Sequence, residues 1–121
     1  MISPQEAHAL IAEDKAVLVD VREEHELVES GMAEGALWMP TSLMDDDEPT
    51  WKNFKASLPK DKKVILYCRS GQRSGRVSEF LKDEGFDSFN AGGFKEWQAA
   101  GLPLFEATGV KRIKAFVLQE F

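Results

Sequence analysis

The single cysteine of the chain, Cys68, stands where an apolar run meets a loop rich in arginine. The segment 69–76 contains three arginines and no acidic residue, namely Arg69, Arg73 and Arg76. A loop that enters a helix points backbone N–H groups into one concavity, and the helix dipole adds partial positive charge. Both features favour an anion, so the sequence predicts a Cys68 thiol with a lowered pKa that acts as a nucleophile. A structural alternative stays open, because a lone cysteine at a strand end is commonly a small buried apolar residue.

Apolar spacing on either side of Cys68 predicts the elements that position it. The run Val64-Ile65-Leu66-Tyr67 is typical of a buried strand, and apolar residues at helical spacing follow the loop until Gly85. Short valine-rich runs and helical patterns alternate along the rest of the chain, which predicts an α/β fold with a parallel sheet between helices. In such a sheet ligands bind at the carboxyl ends of the strands, and Cys68 is placed at such an end.

Length, charge and cysteine content exclude several classes of protein. The chain has 121 residues, which is the size of one domain. Its net charge of −6 has the wrong sign for general attraction to nucleic acid or to an anionic membrane, so neither is an expected partner. One cysteine forbids an internal disulfide and a multi-cysteine metal site, which fits a reducing compartment. Without a targeting segment or a long apolar run, we expect a cytoplasmic protein.

Three stretches of the sequence resemble the motifs of one known family, the single-domain rhodaneses. These are sulfurtransferases whose cysteine carries a persulfide. The stretches are Cys68-Arg69-Ser70-Gly71-Gln72-Arg73-Ser74, which resembles the active-site loop; Asp20-Val21-Arg22-Glu23 with Gly35-Ala36; and Gly92-Gly93-Phe94-Lys95-Glu96-Trp97 with Gly101-Leu102-Pro103. The resemblance covers residues 1–105 and implies an α/β/α sandwich with a five-stranded parallel sheet. It leaves residues 106–121 as a C-terminal extension of unknown role.

The resemblance also implies a reaction, which the residues can support. The Cys68 thiolate would take the outer sulfur of thiosulfate, or of a related donor, and pass it to cyanide or to a thiol acceptor. Backbone N–H groups of the loop residues would cradle the persulfide, and these residues are Arg69, Ser70, Gly71, Gln72, Arg73 and Ser74. Arg69 and Arg73 would attract the dianionic donor. No cofactor and no metal is expected.

Asp20, Arg22 and Arg76 are supporting candidates. Asp20 ends a predicted strand, and a hydrogen-bonding role toward local backbone is favoured over a place in the pocket. Arg22 is expected to pair with Asp20 or a nearby acid and to hold the scaffold. One departure from the family stands nearby, because Gly31-Met32-Ala33 occupies the place of a common Gly-His-Ile sequence.

Two other functions remain alternatives. A phosphatase or arsenate reductase on the same fold would also use a thiolate under an arginine loop. The loops of those enzymes resemble a pattern in which arginine stands six positions after the cysteine. This chain has Ser74 at that position, and its arginine, Arg73, stands five positions after the cysteine. The shorter loop encloses a smaller cavity, which fits one sulfur atom better than a tetrahedral oxyanion. The other alternative is a non-catalytic or sulfur-relay interaction module, against which the presence of Cys68 counts.

Overall fold

The computed structural model describes residues 1–105, in which strands and helices alternate along the chain. The strands are β1 (Ala16–Asp20), β2 (Met32–Ala33), β3 (Leu37–Trp38), β4 (Lys63–Cys68), β5 (Ser88–Gly93) and β6 (Leu104–Phe105). The helices are α1 (Pro4–Ala12), α2 (Glu24–Ser30), α3 (Ser42–Asp46), α4 (Glu48–Ser57), α5 (Gln72–Asp83) and α6 (Phe94–Ala99). The predicted extension, residues 106–121, lies outside the described residues.

A parallel sheet forms the centre of the fold, in the strand order β3-β1-β4-β5. The α/β class and the parallel sheet predicted from the sequence are confirmed. Within residues 1–105 the parallel sheet has four strands, where the family resemblance implied five. The two-residue strand β2 does not join it, because Met32 and Ala33 pair antiparallel with β6 in a separate ribbon.

Side chains of β4 point alternately to two apolar clusters, one on each face of the sheet. Ile65 and Tyr67 belong to one cluster, which contains Ala7 of α1 and Trp97 of α6. The other cluster holds the remaining apolar residues of β4 and side chains of α4 and α5: Val64, Leu66, Cys68, Trp51, Phe54, Val77 and Leu81. Because both faces are covered, β4 has the continuous apolar sequence that is typical of a buried parallel strand. Cys68 therefore faces α5, whereas Tyr67 faces the opposite side.

The first helix, α1, is capped by a serine side chain. Ser3 is the N-cap of α1, and its hydroxyl oxygen accepts a hydrogen bond from the backbone N–H of Glu6 at 3.1 Å. Pro4 occupies the first helical position, where its missing N–H costs no hydrogen bond. None of the helices in the described part of the chain combines the length and apolar character needed to span a membrane.

Candidate active site

Cys68 is the last residue of β4, and the loop 69–71 connects it directly to α5. Its side chain is fully buried, whereas the next two residues, Arg69 and Ser70, are exposed. The burial fits the structural alternative as well as the functional one, so the contacts of the sulfur atom distinguish them. A sulfur that only filled space would be surrounded by apolar atoms alone.

Polar groups of the loop point at the Cys68 sulfur. The backbone N–H of Gly71 donates to Sγ at 2.9 Å, and the Ser74 hydroxyl lies 3.4 Å from the same atom. Burial by itself would raise the pKa of the Cys68 thiol. Hydrogen bonds from the Ser74 side chain and from the backbone of Ser74, Gly71 and Ser70 outweigh burial and hold the pKa below its ordinary value. This loop therefore has the properties of a site that stabilises a thiolate.

The backbone conformation of the loop depends on two glycines. Gly71 has φ of +95°, the left-handed region that favours glycine, and this turn directs its N–H toward the sulfur. Gly93 at the end of β5 is packed against the loop so tightly that a methyl group there would clash with the carbonyl oxygen of Arg69. The close approach of two backbones explains why β5 ends in glycine beside the loop.

Asn90 of β5 connects the loop to the sheet, and it was not among the predicted site residues. Its side-chain Nδ2 donates to the carbonyl oxygen of Gly71 at 2.9 Å. The single hydroxyl proton of Ser74 is shared between Asn90 Oδ1 at 2.7 Å and the Cys68 sulfur at 3.4 Å, and Oδ1 also accepts from the backbone N–H of Gly92 at 2.9 Å. Asn90 thus holds both the residue whose N–H binds the sulfur and the serine whose hydroxyl faces it. The only signal in the sequence was a polar residue near the end of a predicted strand.

The positive charge of Arg73 is balanced by a carboxylate of α2. Its guanidinium forms two parallel hydrogen bonds to the Glu26 carboxylate of α2, at 2.7 and 2.8 Å. These bonds lower the pKa of Glu26 to about 2, and the Glu26 contact raises the pKa of Arg73. The negative charge of Cys68 contributes to the Arg73 pKa as well, but less than Glu26 does. Glu26 stands 47 residues before Arg73 in the chain, and this partner was not predicted from the sequence.

Asp20 and Arg22 form a buried ion pair on the other face of the sheet. The guanidinium lies 2.8 Å from Asp20 Oδ2, and the Tyr67 hydroxyl donates to the same oxygen at 2.5 Å. Arg22 also stacks on the ring of Phe94, with 4.0 Å between its Cζ and the ring centroid. Burial alone would lower the pKa of Arg22, but hydrogen bonding and charge attraction to Asp20 raise it. These contacts join β1, β4 and α6 around one charge pair.

The remaining predicted site residues lie at the surface of the loop and of α5. Gln72 is the first residue of α5 and is exposed, and Arg69 has no ion pair with any residue of the described range 1–105. Arg76 is exposed on α5, where its Cζ lies 5.8 Å from the centroid of the Phe80 ring. The structure therefore brings Ser70, Gly71 and Ser74 to the sulfur, and directs the three arginines to different surroundings.

Comparison with known proteins agrees with this fold. The sequence profile of the rhodanese-like domain matches residues 3–100. The chain is 34% identical over 114 residues to the thiosulfate sulfurtransferase GlpE of Actinobacillus succinogenes, covering 93% of this chain and 96% of that protein. It is 33% identical over 86 residues, 71% of its length, to a tRNA uridine(34) hydroxylase of Rhizobium leguminosarum, of which it covers 27%. The crystal structure of a rhodanese-related protein from Thermoplasma volcanium matches with a TM-score of 0.71 and 28% identity, over 88% of this chain and 97% of that one.

Proposed function

The chain belongs to the rhodanese-like domain family, and from this membership we propose that it is a sulfurtransferase in which Cys68 carries the sulfur as a persulfide. Relatives named as sulfurtransferases support sulfur transfer as the general activity. The observation that carries the proposal is the hydrogen bond from the Gly71 N–H to Sγ at 2.9 Å. A backbone donor aimed at sulfur stabilises a negative charge there without a metal or a nearby cation.

The first step loads the enzyme. The Cys68 thiolate attacks the outer sulfur of thiosulfate and forms a new S–S bond. The bond between the outer sulfur and the sulfonate sulfur breaks, and its electron pair leaves with sulfite. Three negative charges are present on each side of the step, as a thiolate and a thiosulfate dianion before it and as a persulfide anion and a sulfite dianion after it. No oxidant is consumed.

The second step unloads the enzyme and restores the thiolate. A nucleophile such as cyanide or a thiolate attacks the outer sulfur, and the Cys68 sulfur leaves with the electron pair of the S–S bond. The hydrogen bonds that stabilise the thiolate make Cys68 a good leaving group in this step. One cysteine suffices because the second thiol comes from the acceptor. The same loop thus supports both halves of the cycle.

Arg69 is the cation best suited to meet the donor. It is exposed and has no ion pair among residues 1–105, so its guanidinium can bind the sulfonate of thiosulfate without first losing a partner. Arg73 is committed to Glu26 and supports the loop from the side. Arg69 and Arg73, which were both expected from the sequence to attract the donor, therefore have different roles in this proposal.

Intact-protein mass spectrometry tests the proposal. The reduced protein is incubated with thiosulfate, and the Cys68→Ser variant is treated in the same way. We expect the wild type alone to gain the mass of one sulfur atom and to lose it again on addition of cyanide. Absence of the gain with thiosulfate and with other sulfane donors would overturn the proposal. Hydrolysis of an aryl phosphate by the same sample would then favour the phosphatase, and inactivity toward both would favour an interaction module.

A further inference from the structure

The Asn90 amide lies between β5 and the first turn of α5, beside the loop that follows Cys68. A methyl group added at Gly75 of α5 would lie 3.1 Å from Asn90 Nδ2, so the absence of a side chain there makes room for the amide. Glycine weakens a helix relative to alanine. Helix α5 therefore contains a residue of low helix propensity at the point where Asn90 packs against it.

The Ser74 hydroxyl has one proton and two acceptors within reach. Asn90 Oδ1 lies 2.7 Å from its oxygen, the usual length of an O–H···O hydrogen bond, and the Cys68 sulfur lies 3.4 Å from it. Ser74 is fully buried, so the choice is between these two acceptors. A hydrogen bond to an ionised acceptor is stronger than one to a neutral acceptor. The charge on the sulfur therefore decides which way the hydroxyl points.

Both acceptors keep another donor in either orientation of the hydroxyl. When Ser74 donates to the sulfur, Asn90 Oδ1 still accepts from the Gly92 N–H at 2.9 Å. When Ser74 donates to Asn90, the Cys68 sulfur still accepts from the Gly71 N–H at 2.9 Å. A buried polar group that loses its last partner costs free energy, and neither orientation incurs that cost at these two atoms. The hydroxyl can therefore turn between them during a reaction.

We propose that Asn90 is a positioning residue whose Oδ1 holds the Ser74 proton while the Cys68 sulfur is uncharged and releases it when that sulfur becomes a thiolate. Its place in the reaction rests on the proposed sulfurtransferase function. In the persulfide the negative charge lies on the outer sulfur, so Ser74 donates to Asn90. When an acceptor takes the outer sulfur, the charge returns to Cys68 and the hydroxyl turns back. The hydrogen stays bonded to the serine oxygen throughout, so the balance of both steps is unchanged.

Two variants of Asn90 separate its acceptor from its contact with the loop. Asn90→Leu removes the acceptor, so the Ser74 proton stays with the thiolate. Asn90→Asp keeps the acceptor and adds a negative charge, which holds the proton more strongly. Both variants lose the Nδ2 donor to the Gly71 carbonyl oxygen, so a loosened loop would affect them alike. Opposite effects of the two variants therefore report on the proton of Ser74.

The first measurement is the rate at which neutral iodoacetamide alkylates Cys68 at the alkaline plateau, where the whole thiol is ionised. A thiolate that is more strongly stabilised is less nucleophilic, and one that is less stabilised is more nucleophilic. We expect Asn90→Leu to lower the plateau rate about twofold and Asn90→Asp to raise it about twofold. In a Ser74→Ala background, Asn90→Leu should leave the rate unchanged, because the proton in question is absent.

The second measurement is the release of sulfur from the persulfidated enzyme to cyanide. Cys68 is the leaving group in this step, so the order reverses: Asn90→Leu should react about twofold faster than the wild type, and Asn90→Asp more slowly. Ser88→Ala is the matched control, because Ser88 also joins β5 to α5, through a hydrogen bond to the Ser78 carbonyl oxygen at 2.6 Å, and does not contact the sulfur. It should keep both rates.

The outcomes separate the positioning role from the proposed function. Slower alkylation and slower release in both Asn90 variants, or an effect of Asn90→Leu that persists in Ser74→Ala, would overturn the positioning role. If thiosulfate does not load the wild type while the alkylation rates change as expected, the proposed function fails and the competition for the Ser74 proton stands. If loading succeeds and both Asn90 variants are alkylated at the wild-type rate, the positioning role is wrong and the proposed function stands.

Discussion

Two neighbouring strand ends hold a buried acidic group in different ways. Asp20 ends β1 and meets a full positive charge, the Arg22 guanidinium at 2.8 Å. Cys68 ends β4, the adjacent strand, and meets a backbone N–H at 2.9 Å and a hydroxyl at 3.4 Å. Both side chains are fully buried, and they point to opposite faces of the sheet.

Under the proposed function, the difference separates a structural site from a reactive one. A carboxylate paired directly with an arginine is neutralised, and its oxygens are occupied by fixed donors. A thiolate stabilised by dipoles keeps its charge and its lone pairs, so it remains available to attack or to leave. In the proposed sulfurtransferase, an ion pair holds the structural strand end rigid and oriented dipoles stabilise the reacting sulfur.

The largest expected effect comes from breaking the ion pair. Arg22→Met leaves Asp20 buried without its cation and removes the donors to Ser30 and Gly31. We expect the free energy of unfolding to fall by about 3–5 kcal/mol in urea denaturation. The double variant Asp20→Asn/Arg22→Met should be less destabilised than Arg22→Met, because the unpaired charge is gone.

Arg69→Met is the matched control for this experiment. Arg69 is exposed and unpaired among residues 1–105, so its replacement should change the unfolding free energy by less than about 0.5 kcal/mol. Similar losses for the two arginine variants would contradict the structural role assigned to the Asp20 site.

The next effect concerns the position of the loop. Gly93→Ala places a methyl group against the Arg69 carbonyl oxygen and 2.7 Å from Glu96 Oε2, so the backbone at residue 69 must move. We expect a loss of about 1–3 kcal/mol in stability and about a hundredfold slower persulfide formation. In Gly85→Ala, the added methyl group is in open space at a φ of +92°, so that variant should lose about 1 kcal/mol and keep its rate. Equal rates for the two variants would contradict the close approach.

A smaller effect, the pH dependence of stability, tests the ion pair between Arg73 and Glu26. The pKa of Glu26 is lowered from 4.5 to about 2 in the folded protein. Its stabilising contribution is therefore present above about pH 4.5 and is lost as the pH falls through about 2. Glu26→Gln should lose this dependence, so its stability deficit, at most about 1 kcal/mol, shrinks between those pH values. A deficit that stays constant with pH would show that the pair contributes no charge interaction.

Much of the fold was predictable because its signals are local. The apolar run of β4 and the serine cap of α1 each predict an element from residues adjacent in the chain. The four-stranded parallel sheet was not predictable in that way. Whether Met32–Ala33 joins the sheet or pairs with Leu104–Phe105 depends on contacts about seventy residues apart.

The same distinction holds for the site: contacts within the loop were predictable from the sequence, and contacts from other elements were not. The position of Cys68 before a helix predicts N–H groups around the sulfur, and Gly71 and Ser74 supply the contacts. Asn90 and Glu26 were missed because each meets the loop only through the tertiary fold. Three arginines close together in sequence suggested one positive cluster, but only the fold reveals that a carboxylate from α2 engages Arg73.

The most direct test of the account is the thiol pKa of Cys68, obtained from the pH dependence of its alkylation. The chain has one cysteine, so the signal has a single source. Ser74→Ala should raise the pKa and slow alkylation severalfold at neutral pH, while Ser78→Ala, whose hydroxyl contacts Ser88, should not. The uncharged pair Glu26→Gln/Arg73→Gln should raise the pKa less than Ser74→Ala does. The reverse order would contradict the claim that oriented dipoles, rather than a paired arginine, stabilise the thiolate.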